Sequence, residues 1–240
     1  MQFDAYDGDR DEVVKRIRAE NIQCINVGTD YVSSKNGIEF AEKYGDGFYA
    51  AIGLHPTDVD EELDVEAYKK LALSGSRRVV AVGEIGLDFF RKPYDEQKQR
   101  EVFSQQLALA KELDLPVIIH CRAAHQQLIE MLQGQNLRGS IHCFTGTLEQ
   151  AKKYVDMGFH LGIGGIIFKF NIDEVIKSIS LEHFLLETDC PYLTPPMAPQ
   201  KRNEPMFMSY TIQKIAELKS VSVEEICEKT TQNAKKLFSI

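Results

Sequence analysis

The chain has 240 residues, 43% of them hydrophobic, and a formal net charge of −8. That length suits one large α/β domain, read as residues 1–240, better than two small ones, and the apolar share can bury a substantial core. The acidic balance excludes a broad basic face for nucleic acid, so a polyanionic substrate would have to be attracted locally, by metal ions and a few cations.

No apolar run approaches the roughly 18 residues of a membrane span. The polar, acidic start MQFDAYDGDRDE does not read as a secretory signal. Five cysteines without CxxC spacing point to a reduced, cytoplasmic protein with no disulfide framework. Nothing in the pattern calls for a membrane or an obligate protein partner.

The chain opens into a helix over residues 9–21, with Val13, Val14 and Ile17 as its apolar stripe. Seven strand candidates follow, at 23–28, 48–53, 79–85, 116–121, 139–144, 160–165 and 184–189. Most are near-continuous apolar runs, as expected of strands covered on both faces. Helical segments separate them. The clearest runs from Tyr94 to Leu113, with Phe103, Leu107 and Ala110 on one face, and Pro116 excludes further helix. Two helices close the chain, at 205–219 and 223–238, the second opening on a Ser222-x-x-Glu225 capping box. Strict alternation predicts a parallel sheet with right-handed crossovers. The fold class is therefore α/β: either a TIM-type β/α barrel with its first strand missing, seven of eight strands being present, or an open doubly wound sheet.

Four metal-binding or acid–base residues stand where strand candidates end: Glu84 in VVAVGEIGLD, His120 in PVIIHCR, His142 in GSIHCFTG and Asp189 in FLLETDCP. Groups drawn from several strand C-termini are how a parallel β/α barrel builds an active site. One such histidine alone reads as a satisfied buried residue, but four groups on four strand ends do not. Imidazole with carboxylate suits Zn²⁺, Mn²⁺, Fe²⁺ or Co²⁺, whereas Mg²⁺ prefers oxygen, and one or two divalent ions could be held. Cys121, Cys143 and Cys190 each follow a proposed ligand. In an extended chain their side chains would face away from the metal and be structural.

His55, held extended by Pro56, is a candidate for substrate contact or proton donation. Arg122 shares a strand face with His120 and suits an oxyanion or a pairing with Asp189 or Glu84. Lys201 and Arg202, in the loop after the Asp189 strand, suit a phosphate or are simply solvated. The Gly-rich run GIGGIIF (162–168) lacks the spacing of a phosphate-binding loop, and a tight turn explains it as well. No Gly-x-Ser-x-Gly elbow is present.

The motifs GLHP (53–56), GEIGLD (83–88), LPVIIHCR (115–122), HCFTG (142–146), ETDCPYL (187–193) and KRNEP (201–205), in this order over essentially the whole chain, strongly resemble the TatD-type metal-dependent deoxyribonucleases, β/α barrels of the amidohydrolase superfamily. The resemblance implies a metal-dependent phosphodiesterase acting on DNA, described in the family as a 3′→5′ exonuclease, with Zn, Mg or Mn as cofactor and up to two ions in a complete site. It implies that Glu84 bridges two metals, His120 and His142 ligate one of them, Asp189 orients and deprotonates the attacking water and contributes to the other metal, and His55 lies beside the substrate.

Two departures stand out. The family opens on a strand ending in His-x-His, whereas this text starts at Met1-Gln2-Phe3-Asp4, matching the stretch just after it. The resemblance thus implies a missing piece of about 5–10 residues carrying two ligands, and hence a form that is weakly active or silent. Ala123 stands where the family usually has Asp. Other function classes compatible with the residues are a superfamily esterase or amidase acting on an aminoacyl ester, lactone or amide, and a catalytically silent binding protein.

Overall fold

The computed structural model describes residues 1–60, 62–74 and 77–240. Among them are seven strands, β1 (Cys24–Val27), β2 (Phe48–Ile52), β3 (Val79–Asp88), β4 (Val117–Arg122), β5 (Gly139–Ile141), β6 (Phe159–Ile163) and β7 (Phe184–Leu186). Helix α1 (Arg10–Ala19) precedes β1. The crossovers carry α2 (Tyr31–Tyr44), α3 (Val65–Leu73), α4 (Glu96–Glu112), α5 (His125–Leu132), α6 (Leu148–Asp156) and α7 (Asp173–Ser178), and α8 (Met208–Lys219) and α9 (Val223–Phe238) end the chain.

The strands are hydrogen-bonded in sequence order, β1 through β7. A doubly wound sheet reverses its strand order at a switch point; a sequential order is that of the β/α barrel, here with seven of its eight strands. All seven strand candidates exist, but β5 and β7 stop three residues short of the expected ends, before His142 and Asp189. The 3₁₀ turn Pro205–Phe207 takes the first residues expected of α8. Ser222 Oγ accepts from Glu225 N at 3.1 Å, the forward half of the expected capping box.

The chain clusters into two compact units, one of Met1–Gln2 with Gln23–Gly139, the other of Phe3–Ile22 with Ser140–Ile240. In the first unit β1 to β4 pair in parallel, with His120 in register with Gly86 and Arg122 with Asp88. One core cluster packs Ile38 of α2, Ala50 and Ile52 of β2, Tyr68 of α3, and Val102 and Leu109 of α4. The apolar face of α4 also carries two buried glutamines. Gln106 donates to Leu54 O at 3.0 Å and accepts from Leu54 N at 2.8 Å. Gln99 does the same at Asp88, at 2.9 and 2.8 Å. Each amide imitates a neighbouring strand where the backbone leaves the ladder, and so fixes the residues beside His55 and Asp88.

In the second unit β6 and β7 pair in parallel, with Leu161 opposite Phe184. Asn233 of α9 is buried and donates to Leu181 O and Phe184 O at 2.7 and 2.9 Å, seating the helix against the start of β7. Lys219 of α8 closes the end of α7 by donating to Ile176 O and Ile179 O.

Replacing a buried amide by an isosteric apolar group strands both backbone partners, at about 1–3 kcal/mol for each group left unsatisfied. Gln106→Leu is therefore expected to lower stability by about 2–4 kcal/mol although it adds apolar surface. Chemical denaturation checks this; a variant as stable as the parent would show that Gln106 does not hold the 54–55 turn.

Candidate metal centre

The first unit brings together His55, Glu84 and His120, whose ligand atoms lie within 4.8 Å of one another. His120 Nδ1 meets Glu84 Oε1 at 2.8 Å, and His55 Nε2 lies 3.6 Å from the same oxygen. The two rings stand edge to face at 4.4 Å. His55 is held on its other side by Thr57, whose Oγ1 is 2.7 Å from Nδ1.

Asp88, in the GEIGLD motif, completes this group and was not singled out from the sequence. Its Oδ2 lies 3.0 Å from His120 Nε2, and its Oδ1 accepts from Phe90 N and Arg91 N, both at 2.9 Å. With one nitrogen bound to a carboxylate, the ring can turn only its other nitrogen toward a cation. The strand runs to Asp88, three residues further than expected, and both Glu84 and Asp88 reach the His120 ring from it.

Burial alone would depress the His120 imidazolium, but the hydrogen bonds to Asp88 and Glu84 outweigh it and hold its pKa up, at about 9. Burial likewise raises Asp88, and His120 with the Arg91 and Phe90 amides reverses this, leaving it at about 2.

The second unit brings together His142, Cys143 and Asp189 within the same span. His142 Nε2 lies 3.6 Å from Asp189 Oδ1. Its Nδ1 donates to Glu187 Oε2 at 2.8 Å, while Glu187 Oε1 accepts from Cys143 N at 2.8 Å. Glu187 is the second ring-holding carboxylate that the sequence reading passed over. Its signal was its place two residues before Asp189.

The glycines of GIGGIIF explain how Glu187 fits. A Cβ on Gly162 would come within 2.2 Å of Glu187 Oε2, and one on Gly164 within 2.9 Å of Glu187 O. The run is the seat of a carboxylate rather than of a phosphate.

Cys143 corrects an expectation. It was read as facing away from the metal, yet its sulfur joins the donor group. The alternation argument fails because β5 has already ended and Cys143 sits at φ 44°, in the left-handed region. Burial and the nearby Glu187 carboxylate push its thiol well up. Cys121 behaves as expected: it is buried, with its sulfur 3.3 Å from His125 Nδ1 at the start of α5.

The remaining candidates do not belong to either donor group. Arg122 is exposed and lies over the Phe90 ring, 3.9 Å from its centroid; among the described residues it forms no ion pair with Glu84. Lys201 is exposed, and its carbonyl accepts from Thr194 Oγ1. Arg202 is committed. Nη1 and Nη2 grip Asp9 at 2.7 Å each, and the same nitrogens reach Ala5 O and Glu204. Asn203 beside it is 1% exposed and donates to Thr188 O and Tyr192 O at 2.7 and 2.6 Å. The KRNEP motif thus braces α1 and the backbone around Asp189.

A sequential β/α fold whose strand ends carry two sets of histidine and carboxylate donors is that of a metal-dependent hydrolase. The chain belongs to the family described as TatD related DNase, whose profile matches residues 1–239. It is 41% identical to YabD of Bacillus subtilis, described as an uncharacterised metal-dependent hydrolase, over 100% of this chain and 96% of that one. It is 35% identical to the 3′-5′ ssDNA/RNA exonuclease TatD of Erwinia tasmaniensis, over 97% and 94%. Among solved structures, that of the TatD homologue YjjV of Escherichia coli K12 superposes with a TM-score of 0.92 at 30% identity, covering 99% of this chain and 95% of that one.

Two outcomes follow from this geometry. In Gly162→Ala the new methyl displaces the Glu187 carboxylate and frees the His142 ring. Loss of such a ring-holding partner typically costs 10–100-fold in metal affinity or activity, so about that loss is expected in metal titrations, with the protein still folded. An unchanged affinity would count against Glu187 as the holder. Separately, the metal-free His120 ring is protonated below its pKa of about 9. A cation entering between it and Glu84 must displace that proton, so apparent affinity should climb with pH, by about tenfold per unit for one proton, and level off above about 9. Calorimetry in buffers of different ionisation enthalpy should detect the released proton; heats independent of buffer would contradict this.

Proposed function

We propose that the protein is a metal-dependent phosphodiesterase acting on DNA, with exonucleolytic cleavage from the 3′ end. The observation that carries this is the donor chemistry: two groups of imidazole and carboxylate, each compact enough for one divalent ion, each with a histidine ring clamped by a further carboxylate. The donors fit Zn²⁺ or Mn²⁺ better than Mg²⁺, which favours oxygen. Support for the nucleic-acid substrate comes from the Erwinia relative, whose described substrates are single-stranded DNA and RNA.

In this reading Glu84 and His120 hold one ion, and His142 and Asp189 hold a second, with the Cys143 sulfur within reach of it. Bound ions would neutralise charge on the phosphoryl oxygens and make water more acidic. Asp189, at φ 53° and held by the Asn203 brace on the neighbouring backbone, takes the proton from the attacking water. His55 contacts the phosphate through Nε2. Arg122, exposed beside the first group, attracts the polyanion, and Lys201 adds a mobile cation. Arg202 contributes through the brace. We also read residues 1–240 as one hydrolase domain, and the five free thiols as suited to the cytoplasm.

General-base catalysis contributes about 10²–10⁴-fold, so Asp189→Asn is expected to lower kcat on single-stranded DNA by that order with the fold retained. Glu84→Ala should abolish turnover and weaken metal uptake, and chelation of the parent should silence it until Zn²⁺ or Mn²⁺ is restored. Full activity in either variant sinks the assignment. Turnover of an aminoacyl ester or lactone with none of DNA would sink the substrate and leave the metal site standing.

A further inference from the structure

We infer that Phe90 and Arg122 form a stacking platform for one nucleobase of a single-stranded substrate, next to the His55–Glu84–His120 group. Phe90 is 61% exposed, two residues past Asp88 at the end of β3. Among the described residues, the Arg122 guanidinium covers one face of its ring, 3.9 Å from the centroid. A planar cation laid on an aromatic ring is the composite surface on which a base stacks, with attraction from both the π-face and the charge.

The platform is tied to the metal-binding group through a single carboxylate. Asp88 Oδ1 accepts from Phe90 N, and Asp88 Oδ2 holds His120 Nε2. Arg122 is two residues beyond His120 on β4 and in register with Asp88. Phe89 N donates to Arg122 O at 2.9 Å, carrying the β3–β4 ladder one step further. Behind Phe90, the Phe89 and Tyr94 rings stack at 5.3 Å and 17°, which stiffens the turn. The ring and the guanidinium therefore have a defined position relative to His120.

A base paired in a duplex cannot offer its face to a side chain without leaving the stack. A platform of this kind consequently selects single strands, and it explains how a chain of net charge −8 engages a polyanion without a basic face. The inference rests on the nuclease reading for its substrate, and the experiment separates the two.

The test uses metal-loaded protein and short single-stranded DNA carrying one abasic site, stepped along the strand. Cleavage is followed with ordinary linkages, and binding by anisotropy with non-cleavable methylphosphonate linkages. In the parent, one abasic position should raise KM and weaken binding by about tenfold, with kcat little changed. Phe90→Leu, which keeps an apolar side chain but not a flat one, should show the same loss with the intact strand and no additional loss at that abasic position. Phe90→Trp should restore the parent values, and Arg122→Gln should give a partial loss. Thermal melting verifies that the variants are folded. If the parent cleaves the strand and Phe90→Leu matches it, the platform is wrong and the nuclease reading survives. If the parent does not cleave it, both fall.

Discussion

Twice in this structure a carboxylate fixes one nitrogen of a histidine ring, the arrangement that leaves the other nitrogen for a cation. Asp88 holds His120, and Glu187 holds His142. Each carboxylate is itself restrained, Asp88 by two backbone amides and Glu187 by the Cys143 amide. Much of the chain around the donors serves these two pairs. Gly162 near the end of β6 and Gly164 just after it make room for Glu187, and Gln99 fixes the backbone of Asp88. Charge matters as much as geometry: the carboxylates around His120 keep a proton on it that an entering cation would have to displace.

The backbone beside the donors leaves regular structure early, and polar side chains take over the hydrogen bonds that a strand would have made. Gln106 does this at Leu54 and Asn203 at Thr188 and Tyr192. Burying such amides costs least where their polar atoms are engaged, as both ends of the Gln106 amide are. The ion network of Arg202, Asp9, Arg16 and Glu204 gives the same support to the segment that follows Asp189.

The strand ends were legible because a parallel strand covered on both faces is written as a short apolar run, and a polar residue closing it stands out. Glu84, His120, His142 and Asp189 were found that way. Asp88 and Glu187 escaped because carboxylates beside turns are common, and only their partners distinguish them. Gln99 and Gln106 were hidden on a helix face read for its Phe103 and Leu107. Arg202 looked like an available cation, since its sequence neighbours say nothing of Asp9, nearly two hundred positions away.

Local chemistry and periodicity, which depend on residues close in the chain, were thus sufficient for the strand count and the α/β alternation. The order of the strands in the sheet is a long-range property, and the tertiary structure decided it in favour of the barrel. It also decided which donors meet, which nitrogen each histidine turns outward, and that the Cys143 sulfur faces the donors. A side chain's direction beyond the last ladder hydrogen bond is set by contacts from distant segments, and alternation along the sequence no longer predicts it.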